Sequence, residues 1–410
     1  MEALLEKGID GLKIDRSNWQ LVKFGDVAIQ QKQTVDREDT DLTRYVKGEH
    51  MYSEDIHLRE WGELTDEYLG PAFIRKFEEG DILYGSRRTY LRKVVIAPFR
   101  GITSNTTFVM KANEEVIDKR LLPYVMLSEE FAQNSIRNSK GSVNPYVNWK
   151  DLAGYEFLLP SISEQRVLVD LLELLNSSLE NDLGVKKSLE KYLEVTVEDK
   201  IHGISLKGKS VKAALKELED IKDIKVLSEL GTIFKGRGIP KADVLTDGLP
   251  CVRYGELYTK HHRVIRDFHS FISSHSARQS LLMEKGDVLF AGSGETISEI
   301  GKSASFIGDQ EAYIGSDILV FRPHKMDAAY AGYLMNSALV RYQLNMFGTG
   351  ATVMHIYASD IAKIKVPVLS NDEQFALSKI AEEITKNISL LERKITQKKC
   401  LLKSVINQVF

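Results

Sequence analysis

The sequence predicts an α+β protein in which one unit, a globular domain followed by a long helix, occurs twice. Short motifs recur in the same order at an offset of 206 to 209 residues, and each copy ends in the same helix start and the same apolar repeat. An ordered recurrence of this kind is the signature of an internal duplication. We therefore expect two similar globular domains related by a pseudo-twofold internal repeat.

The duplication divides the chain into six predicted segments. A length of 410 residues suits two or three domains, each large enough to bury a core. The segments are a short N-terminal helical segment 1–18, a globular domain 19–160, a long helix 161–202, a linker and short helix 203–222, a second globular domain 223–369 and a second long helix 370–410.

The recurring motifs are individually short, and their common order carries the prediction. The matched pairs are Lys23–Val27 with Glu229–Ile233, Val46–Glu49 with Arg253–Glu256, Gly80–Leu83 with Gly286–Leu289, Gly141 with Gly350, Asp151–Leu152 with Asp360–Ile361, and Glu164–Gln165 with Glu373–Gln374. Six pairs in one order are not expected from chance.

Both long helices are predicted to begin at a capping box. Ser161 and Glu164 in the first copy, and Ser370 and Glu373 in the second, have S-x-x-E spacing. In this motif the serine oxygen accepts a hydrogen bond from the N3 amide while the glutamate accepts one from the N-cap amide. Each box follows a strand-like stretch that contains proline and precedes a long run with helical periodicity.

The two runs share one register of apolar residues at heptad spacing, which is typical of helices that pack along a seam. Asp182 and Lys186 interrupt the register where the second copy has Leu391 and Ile395. Two arrangements remain open: the helices pack on each other, or each packs on its own domain. The predicted packing residues are Leu168, Leu172, Leu175, Leu179, Leu189, Leu193, Leu377, Ile384, Ile388, Leu391, Ile395 and Leu402.

Each globular domain is predicted to be α+β. Runs rich in β-branched and aromatic residues between Gly or Asp turns indicate strands. These strand-like runs are Lys93–Pro98, Thr106–Lys111, Asp287–Ala291 and Asp317–Arg322. Helices are expected at Lys119–Arg137 and Ala328–Met346. The order of the strands in a sheet does not follow from the sequence.

The loops of the two copies differ while the surrounding frame is shared. The first copy has a basic stretch after Gly80–Leu83, and the second has cations elsewhere. Such side chains can bind phosphates or base edges, although solvated loops and turns would use the same residues. The candidate nucleic-acid contacts are Ser86, Arg87, Arg88, Tyr90, Arg92, Lys93, Ser142, Asn144, Lys235, Arg237, His262, Arg263, Ser293, Thr296, Thr349 and Thr352.

Composition narrows the class of protein. Hydrophobic residues make up 43% and charged residues 28%, as in globular proteins, and the net charge of −3 requires any nucleic-acid surface to be locally basic. Cys251 and Cys400 are far apart and lack metal-ligand spacing, so we expect reduced thiols, no metal site and a cytoplasmic location. The start of the chain is unlike a signal peptide, and no apolar run is long enough to span a membrane.

Three motifs suggest enzymes, and each lacks its structural context. Gly203–Ser210 reads G-x-x-x-x-G-K-S, but the sequence before it looks like a helix end rather than the buried strand that a phosphate-binding loop follows. Phe234–Gly238 and Phe290–Gly294 match F-x-G-x-G, and Asn144–Tyr146 half-matches the N-P-P-[YF] motif of adenine methyltransferases. We expect a linker at Gly203–Ser210, no bound cofactor and no catalytic residue.

The duplicated architecture resembles the specificity subunits of type I restriction-modification systems. The residues that carry the resemblance are Gly80–Leu83, Gly286–Leu289 and above all the junction Leu158–Gln165, which is similar to the family's boundary between recognition domain and helix. The second copy keeps this junction as Val366–Gln374, with its proline two residues farther from Glu-Gln. The resemblance covers essentially the whole chain.

The resemblance implies a function and a set of partners. Each globular domain would be a target-recognition domain that reads one half of a bipartite DNA site, and the long helices would pair as an antiparallel coiled coil that sets the spacing. Double-stranded DNA, two methylation subunits and a restriction (motor) subunit would be partners, whereas a membrane would not. Self-association of the isolated subunit stays open. The family implies no catalysis and no bound S-adenosylmethionine.

Two other classes of protein remain as alternatives. The chain would be an enzyme if Gly203–Ser210 bound a nucleotide or the glycine loops bound S-adenosylmethionine. It would be a scaffold if the helices only assembled partners and no surface bound DNA. The unevenly distributed basic loops favour DNA recognition over a scaffold.

Overall fold

The two long helices are divided between two structural units. The computed structural model describes residues 14–36, 39–65, 68–294, 300–347 and 354–410. The first unit comprises the chain up to Gly184 together with Leu391–Phe410, and the second comprises Val185–Leu390. Each unit therefore contains one globular part and a portion of both long helices.

The described residues of the first unit form ten strands and the start of a 40-residue helix. Its strands are β1 Gln20–Lys23, β2 Ala28–Gln31, β3 Arg44–Val46, β4 Gly62–Glu63, β5 Phe73–Phe77, β6 Ile82–Gly85, β7 Val94–Ile96, β8 Gly101–Ser104, β9 Thr107–Ala112 and β10 Glu156–Leu159. Its helices are α1 Phe24–Val27, α2 Leu122–Leu127, α3 Glu129–Arg137, α4 Trp149–Ala153 and the long helix α5 Ile162–Ile201, with 3₁₀ turns at Gly48–His50 and Thr89–Leu91.

The second unit repeats this series with additions. Its strands are β11 Ile224–Val226, β12 Gly231–Lys235, β13 Leu249–Val252, β14 Arg263–Ile265, β15 Ser270–Ile272, β16 Leu281–Leu282, β17 Val288–Ala291, β18 Ser293–Gly294, β19 Ser303–Phe306, β20 Tyr313–Ile314, β21 Ile318–Pro323, β22 Met354–His355 and β23 Lys365–Pro367. Its helices are α6 Val211–Glu219, α7 Leu227–Leu230, α8 Glu256–Thr259, α9 Ser274–Ala277, α10 Ala328–Met335, α11 Ala338–Phe347, α12 Ala358–Ile361 and the long helix α13 Asn371–Val409, with a 3₁₀ turn at Lys241–Asp243.

The sheets of the two units have the same strand order. The main sheet is β2-β9-β6-β7 in the first unit and β12-β21-β17-β19-β14 in the second. The smaller sheet is β4-β3-β8-β5 in the first and β15-β13-β20-β16 in the second, and its central pair is parallel in both. Shared order and shared strand direction establish that the duplication seen in the sequence is a duplication of fold.

The main sheet of each unit has a hydrophobic core on both faces. In β6, Ile82 and Tyr84 belong to one core and Leu83 between them belongs to another. In β17, Val288 and Phe290 face one core while Leu289 faces another. Side chains alternate across a strand, so a strand buried on both faces is apolar throughout rather than at every second residue. This explains the continuous apolar runs of both strands.

The strands predicted within the globular domains agree with observed strands. Each of the two helices predicted within these domains is instead a pair of shorter helices. The stretch Lys119–Arg137 contains α2 and α3, which meet at Ser128. Ser128 has an extended backbone, and its hydroxyl accepts a hydrogen bond from the amide of Phe131, so it starts a new helix. The stretch Ala328–Met346 is likewise divided, between Met335 and Ala338.

Both long helices begin at the predicted capping boxes. The Glu164 carboxylate accepts a hydrogen bond from the Ser161 amide at 3.0 Å, and the Glu373 carboxylate accepts one from the Ser370 amide at 2.8 Å. In each box the serine hydroxyl also donates to the glutamate at 2.7 Å. These bonds satisfy amides that the first helical turn leaves without intrahelical partners.

The predicted N-terminal helical segment, residues 1–18, lies mostly outside the described residues. Residues 14–18 of that segment form coil and a turn, so this described part is not helical.

In the first unit the two long helices pack against each other in antiparallel orientation. Lys398 contacts Ser178 while Lys394 contacts Asp182, so residue numbers rise on one helix as they fall on the other. Leu172, Leu175 and Leu179 are buried, and Leu168 and Leu402 are partly buried against the same core. That core also contains residues of the globular part, so the helices pack on each other and on the domain.

The second unit has an apolar seam between the same two helices. Its core includes Leu193 of α5 with Leu377 and Ile384 of α13, all buried, while Leu189 and Ile388 are partly buried against it. In the first unit Ile395 is buried and Leu391 is partly exposed. The heptad register predicted from the sequence thus lies along the contact surfaces of both helices.

Gly203–Ser210 forms a linker between two helices. α5 ends at Ile201, and Ser210 caps α6 by accepting a hydrogen bond from the amide of Ala213. Lys209 forms an ion pair with Glu217. A phosphate-binding loop follows a strand, whereas this segment follows a helix, so its G-x-x-x-x-G-K-S pattern lacks the structural context of such a loop.

Within the described residues, no helix combines the length and the apolar character needed to cross a membrane. Cys251 is buried and Cys400 is exposed, and both are free thiols. Burial raises the pKa of the Cys251 thiol to about 12.

Candidate nucleic-acid interface

The loop that follows β6 exposes three of the predicted contact residues. Arg87, Arg88 and Tyr90 are exposed, and neither guanidinium has an ion-pair partner among the described residues. Arg88 has a positive φ of 51°, a left-handed conformation that directs the chain into the 3₁₀ turn after it. The two arginines therefore offer unneutralised positive charge to a ligand.

Other predicted residues of the same loop hold the loop in place. Ser86 is 5% exposed, and its hydroxyl donates to the carbonyl of Thr106 at 2.5 Å. Arg92 is paired with Glu54 at 3.2 Å and Glu129 at 2.6 Å. Lys93 donates to the carbonyl of Gly48 at 2.5 Å, and burial lowers its pKa. These three side chains therefore hold the loop in place through contacts within the protein.

The loop before α4 lies beside the loop after β6. The Val147 amide donates to the Ser86 carbonyl at 3.0 Å, and the Arg88 amide donates to the Pro145 carbonyl at 2.6 Å. Ser142 and Asn144, both predicted contacts, are exposed in this second loop. The structure therefore brings together two loops that are about 60 residues apart in the sequence.

The second unit places the equivalent loops together in the same way. Ser293 and Gly294 of β18 pair with His355 and Met354 of β22. The Ser293 hydroxyl lies 3.0 Å from Nδ1 of His355. Three predicted contacts in this region, Thr296, Thr349 and Thr352, lie outside the described residues.

Lys235 is the last residue of β12, and Arg237 follows that strand. Lys235 forms an exposed ion pair with Asp317 at 3.0 Å, and the carbonyl of Asp317 accepts a hydrogen bond from the Gly292 amide at 3.3 Å. Lys235 thus lies at the same end of the sheet as the loop that contains Ser293. Arg237 is exposed and has no ion-pair partner among the described residues.

The predicted pair His262 and Arg263 lies against a helix. His262 is exposed, whereas the Arg263 guanidinium lies over the ring of Tyr333, 5.8 Å from its centroid. Arg266, three residues later, pairs with Glu382 of α13 at 3.3 Å. The geometry around Arg263 and Arg266 is that of a contact between sheet and helix.

Tyr146, His355 and Lys302 were missed in the sequence. Tyr146 and His355 are exposed at the points where the paired loops meet, and Lys302 lies 5.7 Å from the Tyr258 ring. No local pattern in the sequence marks these three residues, because the contacts that place them are with residues far away in the chain. The half-match Asn144–Tyr146 did draw attention to one of them, although for a different chemistry.

Gly236 and Gly292, one from each F-x-G-x-G stretch, allow a close approach of neighbouring backbone segments. A Cβ at Gly236 would lie 2.3 Å from the carbonyl oxygen of Gly315, and one at Gly292 would lie 3.1 Å from that of Asp317. Phe290 is fully buried in the core. Close approach of backbones explains these glycines. Among the described residues, no group of three or more His, Cys, Asp or Glu could hold a metal ion.

The sequence is similar to a known protein family and to curated proteins. The family model "Type I restriction modification DNA specificity domain" matches residues 16–191. The type I restriction enzyme MjaVIII specificity subunit of Methanocaldococcus jannaschii is 21% identical over 98% of this chain and 94% of its own length. The chain is therefore similar to a type I specificity subunit along nearly its whole length, and residues 16–191 match the DNA specificity domain of such subunits.

Two solved structures share the fold of this chain. The S subunit of a type I system from M. genitalium has a TM-score of 0.57 at 13% identity, covering 97% of this chain and 98% of that one. A chain from a study of complex assembly and conformational transition of the type I system has a TM-score of 0.53 at 18% identity, covering 95% and 96%.

The Glu-Gln junction makes the same hydrogen bonds in both copies. The Gln165 side chain donates to the Pro160 carbonyl at 2.9 Å and accepts from the Asp118 amide at 2.8 Å. Gln374 donates to the Leu369 carbonyl at 2.8 Å and accepts from the Asp327 amide at 3.0 Å. Each buried amide group therefore joins the start of a long helix to the segment before the helix pair of its own domain.

Proposed function

We propose that the globular part of each unit reads one half of a split, asymmetric DNA target. The observation that carries this proposal is the pair of sheets with one strand order and different loop side chains. A shared frame presents its loops in the same way, so different side chains on that frame suit different base sequences. Exposed Arg87 and Arg88 in the first unit have no cationic equivalents at Ser293 and Gly294 in the second.

In this proposal the paired long helices set the distance between the two half-sites. The domains that read DNA would be residues 19–160 and 223–369, with helices 161–202 and 370–410 as spacers and 203–222 as the linker. The seams of both units support a rigid spacer, because buried leucine-type residues hold the helices together in each.

We further propose that the helices dock two methylation subunits and, through the complex, a restriction subunit. Large apolar side chains are exposed on the helices although their seams are already filled, which is typical of surfaces that bind other proteins. In the first unit these are Val167 and Leu174, and in the second they are Val185, Tyr192, Val195, Phe375 and Leu390. Such a complex would act on DNA in the cytoplasm, where free Cys251 and Cys400 stay reduced.

Selection from random duplexes tests the split target. The full chain, purified with its methylation partner, is incubated with a random-duplex pool, and bound DNA is sequenced. We expect one motif of two unlike halves separated by a fixed gap, with affinity that falls steeply as salt rises. Failure to enrich any motif, or enrichment of one uninterrupted motif, contradicts the proposal.

Cofactor binding tests the alternative that the chain is an enzyme. Titration of the isolated chain with ATP and with S-adenosylmethionine should give no micromolar binding, because Gly203–Ser210 follows a helix and the F-x-G-x-G glycines pack within the sheet. Clear binding of either ligand would show that the chain carries an enzymatic site.

A further inference from the structure

One main-chain hydrogen bond occurs at the same place in both units. In the first, the Val147 amide donates to the Ser86 carbonyl at 3.0 Å. In the second, the Ile356 amide donates to the Gly292 carbonyl at 3.1 Å. Each bond joins the loop after a main-sheet strand, β6 or β17, to the loop before a short helix, α4 or α12. The duplicated frame therefore fixes the same two loops side by side twice.

Two residues face each other beside that hydrogen bond in each unit. Arg87 is paired with Tyr146 in an antiparallel bridge in the first unit, and Ser293 is paired with His355 in the second. We call these two pairs the bridge pairs. Their backbones match, yet their side chains differ in charge, size and hydrogen-bonding capacity.

The first bridge pair is held firmly by main-chain bonds. The Arg88 amide donates to the Pro145 carbonyl at 2.6 Å, and Tyr146 exchanges reciprocal main-chain bonds with Lys140 at 2.8 and 2.9 Å. The Arg87 guanidinium and the Tyr146 ring remain exposed, the latter by 43%. A fixed backbone beneath exposed side chains lowers the entropy cost of binding at these positions.

The second bridge pair is held by a side-chain contact and a neighbouring tyrosine. The Ser293 hydroxyl and Nδ1 of His355 lie 3.0 Å apart, and the Tyr258 hydroxyl donates to the Ser293 carbonyl. His355 is exposed, whereas Ile356 next to it is 3% exposed and anchors the strand in the core. The imidazole is thus presented outward from a fixed position.

We propose that the bridge pairs are the base-reading positions of the two half-sites, an inference that rests on the proposed split target. The Arg87 guanidinium can donate two parallel hydrogen bonds to N7 and O6 of guanine, and the adjacent Tyr146 ring supplies an apolar contact for a neighbouring base. Ser293 and His355 carry hydroxyl and imidazole groups that both donate and accept. The first pair therefore reads a guanine in one half, and the second reads a base of the other half.

Half-specific loss of discrimination tests the assignment. Wild type, Arg87→Gln and His355→Ala are each purified as the full chain with the methylation partner and used to select bound duplexes. Arg87→Gln should reduce discrimination at one guanine of one half by roughly 5- to 150-fold and leave the other half unchanged. His355→Ala should change only that other half, and Arg87→Lys should recover part of the guanine preference.

Matched controls lie away from the bridge pairs. Arg100 and Lys285 are exposed cations paired with exposed Asp41 and Asp309. Lys285 lies in the turn before β17, and Arg100 follows β7, whose last residue, Ile96, pairs with the first residue of β6. Arg100→Gln and Lys285→Gln should leave both halves of the motif intact. Thermal melting of every variant at the wild-type temperature shows that the fold is retained.

The outcomes separate this inference from the proposed function. If the wild type selects no split motif, the proposed function is contradicted and the bridge assignment falls with it. If the wild type selects a split motif that Arg87→Gln and His355→Ala leave intact, only the bridge assignment is wrong. Equal weakening on all sequences, with a shallower salt dependence, would also overturn it, because that is the behaviour of a phosphate contact.

Discussion

Where the long helices pack in the first unit, their seam contains a buried ion pair, whereas the helix residues that join the core of the second unit are apolar. Asp182 is 8% exposed and Lys398 is 4% exposed, and their charged atoms are 2.5 Å apart. Lys398 also donates to the Ser178 hydroxyl at 2.6 Å. In the second unit, Leu189, which lies 209 residues before Lys398, packs against the apolar core that contains Leu193 and Leu377.

The two charged residues of the ion pair lie in different copies of the helix, and each stands where the other copy has leucine. At the offset of 209 residues, Asp182 of the first helix matches Leu391 of the second, and Leu189 of the first matches Lys398 of the second. A single polar pair in an apolar seam is satisfied in one register only, so it specifies alignment at some cost in stability. We therefore expect the Asp182–Lys398 pair to favour one register of the two helices.

The largest expected effect is from breaking the ion pair on one side. Asp182→Leu introduces the residue type found at Leu391 but leaves the Lys398 ammonium buried without its counter-charge. The free energy of unfolding of the first unit should fall by about 3–5 kcal/mol. Native-state hydrogen exchange measured by mass spectrometry reports each unit separately. The double variant Asp182→Leu with Lys398→Leu should regain most of the loss; a double variant as unstable as the single one would refute this account.

Truncation in the apolar seam should have the next largest effect. Leu193→Ala removes a 4% exposed side chain and leaves a cavity, so the unfolding free energy of the second unit should fall by about 2–4 kcal/mol. The matched control is Leu390→Ala, at a position that is 52% exposed, which should change stability by less than about 0.5 kcal/mol. Similar losses from both variants would mean that the seam does not carry the stability.

The two junction glutamines should have equal effects, in contrast to the two seams. Gln165→Ala and Gln374→Ala each leave a main-chain amide without its acceptor, at Asp118 or Asp327. Each should lower the unfolding free energy of its own unit by about 1–3 kcal/mol. Denaturant titration with exchange as the readout checks this, and an effect confined to one copy would show that the junctions are not equivalent.

The smallest expected effect compares the domain–helix ion pairs of the two units. Arg59 bonds Glu180 at 3.1 and 2.7 Å and also Asp55, while Arg266 makes a single contact of 3.3 Å with Glu382. At neutral pH, Arg59→Met should cost about 1 kcal/mol or less, and Arg266→Met should cost close to nothing.

Acid sharpens the same comparison. Burial tends to raise the pKa of Asp55, but hydrogen bonds from His57 and Arg59 outweigh it and hold the pKa at about 2, below the ordinary 3.8. The lowered pKa stabilises the first unit above about pH 4, and this contribution is lost as pH falls towards 2. Unfolding measured between pH 2 and 5 should show this loss in wild type and less of it in Arg59→Met. An identical pH profile for both would contradict the coupling.

The sequence predicted the parts of the fold that depend on local chemistry. Ser161 and Glu164 act on amides within one helical turn, so their spacing alone located a helix start. The division at Ser128 was missed, because serine in a polar stretch is compatible with a helix interior as well as a cap. Strand order was beyond prediction, because the parallel pairing of β3 with β8 joins residues that are far apart in the chain.

The candidate interface was predictable in composition and not in arrangement. Arg87 and Arg88 stood out as a run of charge, and the structure leaves both exposed. Arg92 and Lys93 belong to the same run. Arg92 forms ion pairs with Glu54 and Glu129, and Lys93 donates a hydrogen bond to the Gly48 carbonyl. Those partners lie on other segments, so local sequence could not separate the free cations from the occupied ones.

The first unit is assembled from both ends of the described chain, and this has a consequence for biosynthesis. Its core includes Leu401, Val405 and Val409 packed with residues such as Phe24 and Leu152, whereas the second unit is one continuous stretch. During translation, residues 185–390 are synthesised before residues 391–410. The nascent second unit can therefore fold first, while the first unit, although translated earlier, must keep part of its apolar surface uncovered until translation reaches the last helical turns.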